Sequence, residues 1–330
     1  MSFRLPFRGP VRAPLHGPSG PTSRRPGIAL LAVLTVGLTV GCHRASPVPM
    51  AEGRVPDALV RQLEARIAQV PGAEVAIAVQ DLASGRRLDL RGDTLYHAAS
   101  TMKVPVLFAL YQAFRAGTLQ ADQTIPLENR FTSIADGSSY ALNAADDSDS
   151  SVYAMVGTAV PVRLLARRMI THSSNLATNA LITLLNPVKI TALTRELGAT
   201  RMLVRRGVED TPAFRAGLNN VTTANDLVAL FVALENARVA NATDTREMLD
   251  ILEAQAFNEQ IPAGLPAGTR VAHKTGSITA TWHDAGLVYP AGRRPYAIAI
   301  LTRNIPERAV GDALIADCSR LIWQWLAVER

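Results

Sequence analysis

Three short stretches hold residues able to do chemistry. The first is HAASTMKVPVLFAL, in which Ser100 precedes Lys103 by three residues. Positions three apart on a helix share a face. A helix start also offers free N–H groups and the positive end of a dipole, both suited to a developing alkoxide or oxyanion. Met102, Val104, Val106, Leu107, Phe108 and Leu110 leave almost no polar face, so this helix is expected to be buried. Burial disfavours the charged form of a lysine. A neutral amine beside a serine hydroxyl is a general base beside a nucleophile. Taken alone, such a pair is more often a serine near a helix start and a lysine whose tip reaches solvent.

The second stretch is THSSNLATN, where Ser173 and Asn175 fall in a break between two helical patterns. A second hydroxyl there can relay a proton to a leaving group. An asparagine amide can grip a substrate amide with both its donor and its acceptor. The competing reading is polar capping of the second helix. The third is VAHKTGSI, a strand pattern containing Lys274, Thr275 and Gly276. Alternate residues of a strand share a face, so an ideal strand cannot aim Lys274 and Thr275 to the same side. Gly276 permits close backbone approach. Lys274 is placed to hold a carboxylate or a shuttling proton, and the Ser277 N–H to complete an oxyanion hole. The competing reading is an edge strand protected by a lysine.

The order Ser-x-x-Lys, Ser-x-Asn, Lys-Thr-Gly resembles the penicillin-recognising serine hydrolases, in particular the class A β-lactamases. The resemblance runs from about residue 57 to the end. It implies that Ser100 attacks a carbonyl and is acylated, with Lys103 taking its proton directly or through water. Ser173 would pass a proton to the leaving nitrogen, and Asn175 would bind an acylamide side chain. Lys274 and Thr275 would address the substrate carboxylate, and the Ser100 and Ser277 N–H groups would form the oxyanion hole. The implied activity is hydrolysis of a β-lactam through an acyl-enzyme. A D,D-peptidase, an esterase or a penicillin-binding sensor that acylates once would use the same apparatus. The partner is a small-molecule β-lactam or acyl substrate.

Two positions depart from the family pattern. The second motif usually reads Ser-Asp-Asn, and here its middle residue is Ser174. The family's deacylating glutamate usually stands in Glu-x-x-Leu-Asn, whereas here VEDTPAFRAGLNN separates Glu209 from Leu218-Asn219. Alignment on Leu-Asn puts Arg215 at the glutamate's place. Alignment on the start of the loop and on Thr222-Thr223 selects Glu209, which is preferred. A structural carboxylate paired with Arg205 or Arg206 is the alternative for Glu209, and Asp210 is a weaker substitute. No histidine spacing suggests a metal, and no cofactor is expected.

The elements that must position these residues follow from periodicity. DALVRQLEARIAQV reads as a helix, and AEVAIAVQDL with RRLDLRG as a hairpin. Helical patterns occupy the middle of the chain. TRVAHKTGSI, HDAGLVYP and PYAIAILTRN then read as three strands before a closing helix from Pro306. Strands at both ends must pair to close one sheet. The expected fold is therefore α/β: an antiparallel sheet flanked by N- and C-terminal helices, from 57–98 and 258–330, with an all-helical domain inserted over 99–257. The acidic stretch DGSSYALNAADDSDSS lacks the spacing of a calcium loop and reads as a solvated surface excursion.

The first 41 residues read as a leader. Arg4, Arg8, Arg12, Arg24 and Arg25, with no acid among them, precede the apolar run IALLAVLTVGLTVGC, Ile28 to Cys42. That run ends in LTVGC, which resembles a bacterial lipoprotein signal and makes Cys42 the expected lipidation site. Residues 42–56 read as a tether. The expectation is an exported, periplasmic monomer held to a membrane by its lipid alone. Losing those five positives takes the formal charge of +6 to about +1, which leaves no basic footprint for nucleic acid. Cys318 is then left without an internal partner and reads as a buried thiol.

Overall fold

The computed structural model describes residues 55–327, so the leader, Cys42 and all but the last two residues of the tether lie outside the described residues. Five strands form the main sheet: β1 (Glu74–Asp81), β2 (Arg87–Leu90), β3 (Arg270–Ile278), β4 (Thr281–Tyr289) and β5 (Tyr296–Arg303). Their order is β2-β1-β5-β4-β3, antiparallel throughout. The pairing of β1 with β5, which sets Ala78 opposite Ala299, joins the two ends of the chain.

Strand alternation divides the core. Val75, Ile77 and Val79 of β1 face an outer layer made by α1 (Asp57–Ala68) and the closing helix α9 (Arg308–Ala327). Ala76 and Ala78 face inward, beside Ala272, Ala285, Ala297 and Ala299 of the other strands. Short side chains on this inner face let the helices behind it approach closely. Cys318 is buried in the outer layer, where desolvation pushes its thiol up to about 12 and keeps it protonated.

The intervening helices are α2 (Lys103–Arg115), α3 (Val162–Thr171), α4 (Asn175–Leu185), α5 (Pro187–Glu196), α6 (Thr211–Arg215), α7 (Ala224–Glu235) and α8 (Ala242–Glu253). The apolar run after Lys103 makes α2 the buried hub, packed against α3, α4 and α5. Although α7 and α8 come from the helical stretch of the sequence, α7 packs on β1, β4 and β5, and α8 packs on β3. One apolar cluster thus runs from the sheet's inner face through the helices.

The acidic stretch requires a correction. Most of it is exposed, as a surface excursion should be, but Asp147 and Asp149 are buried. Asp147 accepts the Asn175 and Leu176 N–H groups and Asp149 accepts that of Ser151, which offsets the cost of desolvating a carboxylate. Short ladders, Thr124–Pro126 with Ala159–Pro161 and Phe131–Thr132 with Ser139–Tyr140, hold the rest of this segment on the helical layer.

Candidate active site

Ser100 lies in a 3-10 turn, Ala99–Met102, and Lys103 is the first residue of α2. The pair therefore spans a junction rather than one regular helix. Ala99 has φ 45°, a left-handed conformation unusual for a residue with a Cβ. Two neutral histidines pin this turn. His97 Nδ1 accepts the Ala99 N–H at 3.0 Å, and burial pushes its pKa down to about 4. His283, likewise held at about 4 by burial, donates from Nε2 to the His97 carbonyl at 2.9 Å. Strand β3 passes directly over the turn. A Cβ placed on Gly276 would lie 3.1 Å from both Ser100 N and Thr101 N, so glycine is what allows this approach.

Lys103 is fully buried. Its Nζ donates to the Ser173 carbonyl at 2.6 Å, to Ser173 Oγ at 3.1 Å and to Asn175 Oδ1 at 2.9 Å. Desolvation brings its pKa from 10.5 down to about 7, against the opposing pull of the Asp147 and Glu209 charges. Near neutral pH a substantial fraction of this amine carries a lone pair, which a solvated lysine does not.

Ser173 and Asn175 sit at the crossing from α3 to α4. Ser173 has φ 58°, again left-handed, and Asn175 opens α4. The Ser174 side chain turns away and caps α4 through the Ala177 N–H. The Asn175 amide has defined ends: Oδ1 accepts from Lys103, and Nδ2 donates to Glu209 Oε1 at 2.8 Å. It thus links the lysine to the glutamate.

Glu209 enters the cleft on a third left-handed residue, with φ 60°. Burial raises its carboxyl pKa, partly offset by the Asn175 hydrogen bond and the Lys103 charge. Its loop is anchored by the Asn179 amide, which binds Val208 N–H at 2.7 Å and the Val208 carbonyl at 3.1 Å. Leu218 and Asn219 serve the base of the loop instead. Arg206 donates to the Leu218 carbonyl at 3.1 Å and to Asn219 Oδ1 at 2.8 Å, and it forms no ion pair with Glu209. Asp210 caps α6 and accepts from Ser133 Oγ at 2.6 Å. Arg215 is exposed and lies outside the cleft.

On β3 the alternation divides the third motif. Lys274 is buried, donates to the Thr275 carbonyl at 2.8 Å, and has its pKa depressed well below normal by desolvation and by the Lys103 charge. Thr275, Gly276 and Ser277 line the cleft, while Lys274 does not. The cleft has a volume of about 540 Å³ and brings Ser100, Ser173, Asn175 and Glu209 together with the Thr275–Ser277 edge. Phe214, Trp282 and Arg308 complete its outer walls, and no local pattern marks these three in the sequence.

A serine on a strained turn, a buried amine of lowered pKa, a second serine and a carboxylate form an acyl-transfer constellation. The sequence model of the β-lactamase enzyme family matches residues 58–326. The chain belongs to this family. The β-lactamase AST-1 of Nocardia asteroides is 30% identical over 305 residues, covering 91% of this chain and 94% of that protein. A β-lactamase of Streptomyces albus G is 25% identical, covering 93% and 99%. Among solved structures, a β-lactamase from Sphaerobacter thermophilus superposes with a TM-score of 0.70 at 26% identity, covering 82% of this chain and 97% of that one. A structure of PBP-A reaches 0.70 at 24% identity, covering 82% and 96%, a likeness of fold alone. The protein is a class A β-lactamase-like serine hydrolase.

Proposed function

We propose that the protein hydrolyses the amide bond of β-lactams through a covalent acyl-enzyme on Ser100. The observation that carries this reading is the buried Lys103 amine, joined to Ser173 directly and to Glu209 through Asn175. Neutral Lys103 takes the Ser100 hydroxyl proton as Oγ attacks the carbonyl carbon. The Ser100 and Ser277 N–H groups receive the oxyanion, each worth ~2.7–4 kcal/mol in a comparable hydrolase. As the C–N bond breaks, Ser173 delivers a proton to the leaving nitrogen and is replenished from Lys103. Glu209 then takes a proton from water as the water oxygen attacks the ester carbonyl, and when the Ser100 C–O bond breaks that same proton passes back to Ser100 Oγ, which leaves both groups as they began. Thr275 addresses the substrate carboxylate from the cleft wall. Lys274, buried beside Lys103, lies behind the cleft wall as a proton shuttle.

The reading is tested by mixing the protein with a chromogenic cephalosporin and following intact mass. Fast colour with a transient adduct supports it. A persistent adduct assigns the chain to a sensor or a D,D-peptidase, and no adduct with any β-lactam overturns it.

Acylation is expected to rise with pH through about 7, because only the deprotonated Lys103 is a base and its pKa lies there. The check is the pH dependence of the acylation rate. A limb near the ordinary lysine value would remove Lys103 from the base role.

We also place the enzyme outside the cytoplasm, held to a membrane through lipidated Cys42. Support comes from the basic lead and the apolar run ending in LTVGC. Cys42→Ser is expected to move the protein from the membrane to the soluble fraction. Unchanged partitioning would exclude a lipid anchor on Cys42.

A further inference from the structure

The loop that leads into α3 carries a carboxylate for which the reaction above has no use. Asp147 is only 9% exposed, and both of its oxygens point at the start of α4. Oδ1 and Oδ2 accept the Asn175 N–H at 3.0 and 2.9 Å, and Oδ2 also accepts the Leu176 N–H at 3.0 Å. Ser174 Oγ lies 3.5 Å from Oδ2. Oδ1 further accepts the Asp149 N–H at 3.0 Å. Asp149 in turn pairs with Arg168 of α3 at 2.9 Å, and the Arg168 carbonyl accepts the Ser174 N–H at 3.2 Å. The two aspartates thus clamp the α3–α4 crossing whose Ser173 and Asn175 side chains meet Lys103.

Among the described residues Asp147 has no lysine or arginine within ion-pair distance. The cation its charge acts on is Lys103, and among the acidic groups near that amine it is the strongest influence. Hydrogen bonds from a helix's first N–H groups to a carboxylate are charge-assisted and hold the acceptor firmly. In the family the middle residue of the second motif usually supplies a carboxylate, and here that position is Ser174.

We propose that Asp147 is a positioning residue for acylation: delivered by the loop, its carboxylate replaces the one missing from the second motif, fixes Ser173 and Asn175 against Lys103, and places a negative charge behind that amine. The proposal rests on the serine acyl-transfer reading. Lys103 is faced by Asp147 from this loop, by Glu209 from the loop before α6, by Lys274 from β3 with Asp284 of β4 behind it, and by Ser173 and Asn175 from the crossing. Removing the Asp147 charge leaves Lys103 less able to keep its proton, so the amine becomes neutral at lower pH.

The test measures acylation by intact mass and by the burst of a chromogenic cephalosporin, across pH, for wild type, Asp147→Asn, Asp147→Ala and Asp147→Ala/Ser174→Asp. Asp147→Asn is expected to slow acylation roughly 10–100-fold, because an amide donor then faces main-chain donors. Its acid limb is expected to move down by roughly one pH unit. The double variant is expected to regain at least about tenfold over Asp147→Ala, since aspartate is a good N-cap and returns a carboxylate to the crossing. An unchanged rate and limb in Asp147→Asn overturns the proposal while leaving acyl transfer intact. Lowered thermal stability with an unmoved limb and no recovery in the double variant also overturns it, as that is what a scaffold role produces. A wild-type protein that forms no adduct sinks the acyl-transfer reading, and the proposal falls with it.

Discussion

Replacing Ser100 by alanine is expected to abolish covalent capture of β-lactams and to cut turnover by roughly 10⁵-fold or more, the scale seen when a serine hydrolase loses its nucleophile. Other hydroxyls line the cleft, Ser173 and Ser277 among them, so the prediction discriminates. Ser173 is buried and its Oγ is already held by Lys103, while Ser277 sits on the strand edge without an amine beside it. Ser100 lies on the turn under Gly276 and lines the cleft, whereas the Thr101 hydroxyl on the same turn is buried and donates to the Ala98 carbonyl. Intact mass after exposure to a penicillin is the check. An adduct of unchanged size and rate in Ser100→Ala would show that another residue is the nucleophile.

Glu209→Gln is expected to separate the two halves of the reaction. Acylation remains, because Lys103 and Ser173 are untouched. Deacylation is expected to fall by about 10²–10⁴-fold, the usual contribution of a positioned general base. The substitution is close to isosteric, and the new amide oxygen can still accept from Asn175 Nδ2, so the loop keeps its anchor and only the base is lost. A stoichiometric burst followed by slow release, with an adduct persisting in the mass spectrum, is the expected record. In wild type, deacylation should rise with pH through a carboxyl range lying above the ordinary one, since burial raises the Glu209 pKa and only the ionised form is a base. That limb should vanish in Glu209→Gln. Unaltered turnover would remove Glu209 from the role. Arg215→Ala is the control: an exposed residue outside the cleft is expected to change neither step.

Much of the site was legible in the sequence because its spacing is local. A three-residue step across a turn sets Ser100 near Lys103, and a helix break exposes Ser173 and Asn175. A glycine in a strand marks where backbone must approach backbone. The sheet was legible for the same reason: alternation in β1 and β5 predicts two faces, and apolar strands at both ends of the chain have to find each other.

Other features depend on contacts that no period records. The two alignments of VEDTPAFRAGLNN are equally local, and the choice between Glu209 and Arg215 as the cleft residue was made by the loop's anchors: Asn179 at Val208, and Arg206 at Leu218 and Asn219. Asp147 read as a surface charge because its partners are main-chain N–H groups about 28 residues away, which carry no side-chain signature. Strand period already separates Lys274 from Thr275, but only packing decided that Lys274 is the one beside Lys103 and Thr275 the one in the cleft wall. The sequence by itself picked out the candidate reacting groups and the elements that carry them, since helix and strand geometry act over a few residues. Tertiary structure alone decided the carboxylates around Lys103 and the burial that lowers the pKa of its amine, because desolvation and long-range hydrogen bonds exist only once the loops have closed.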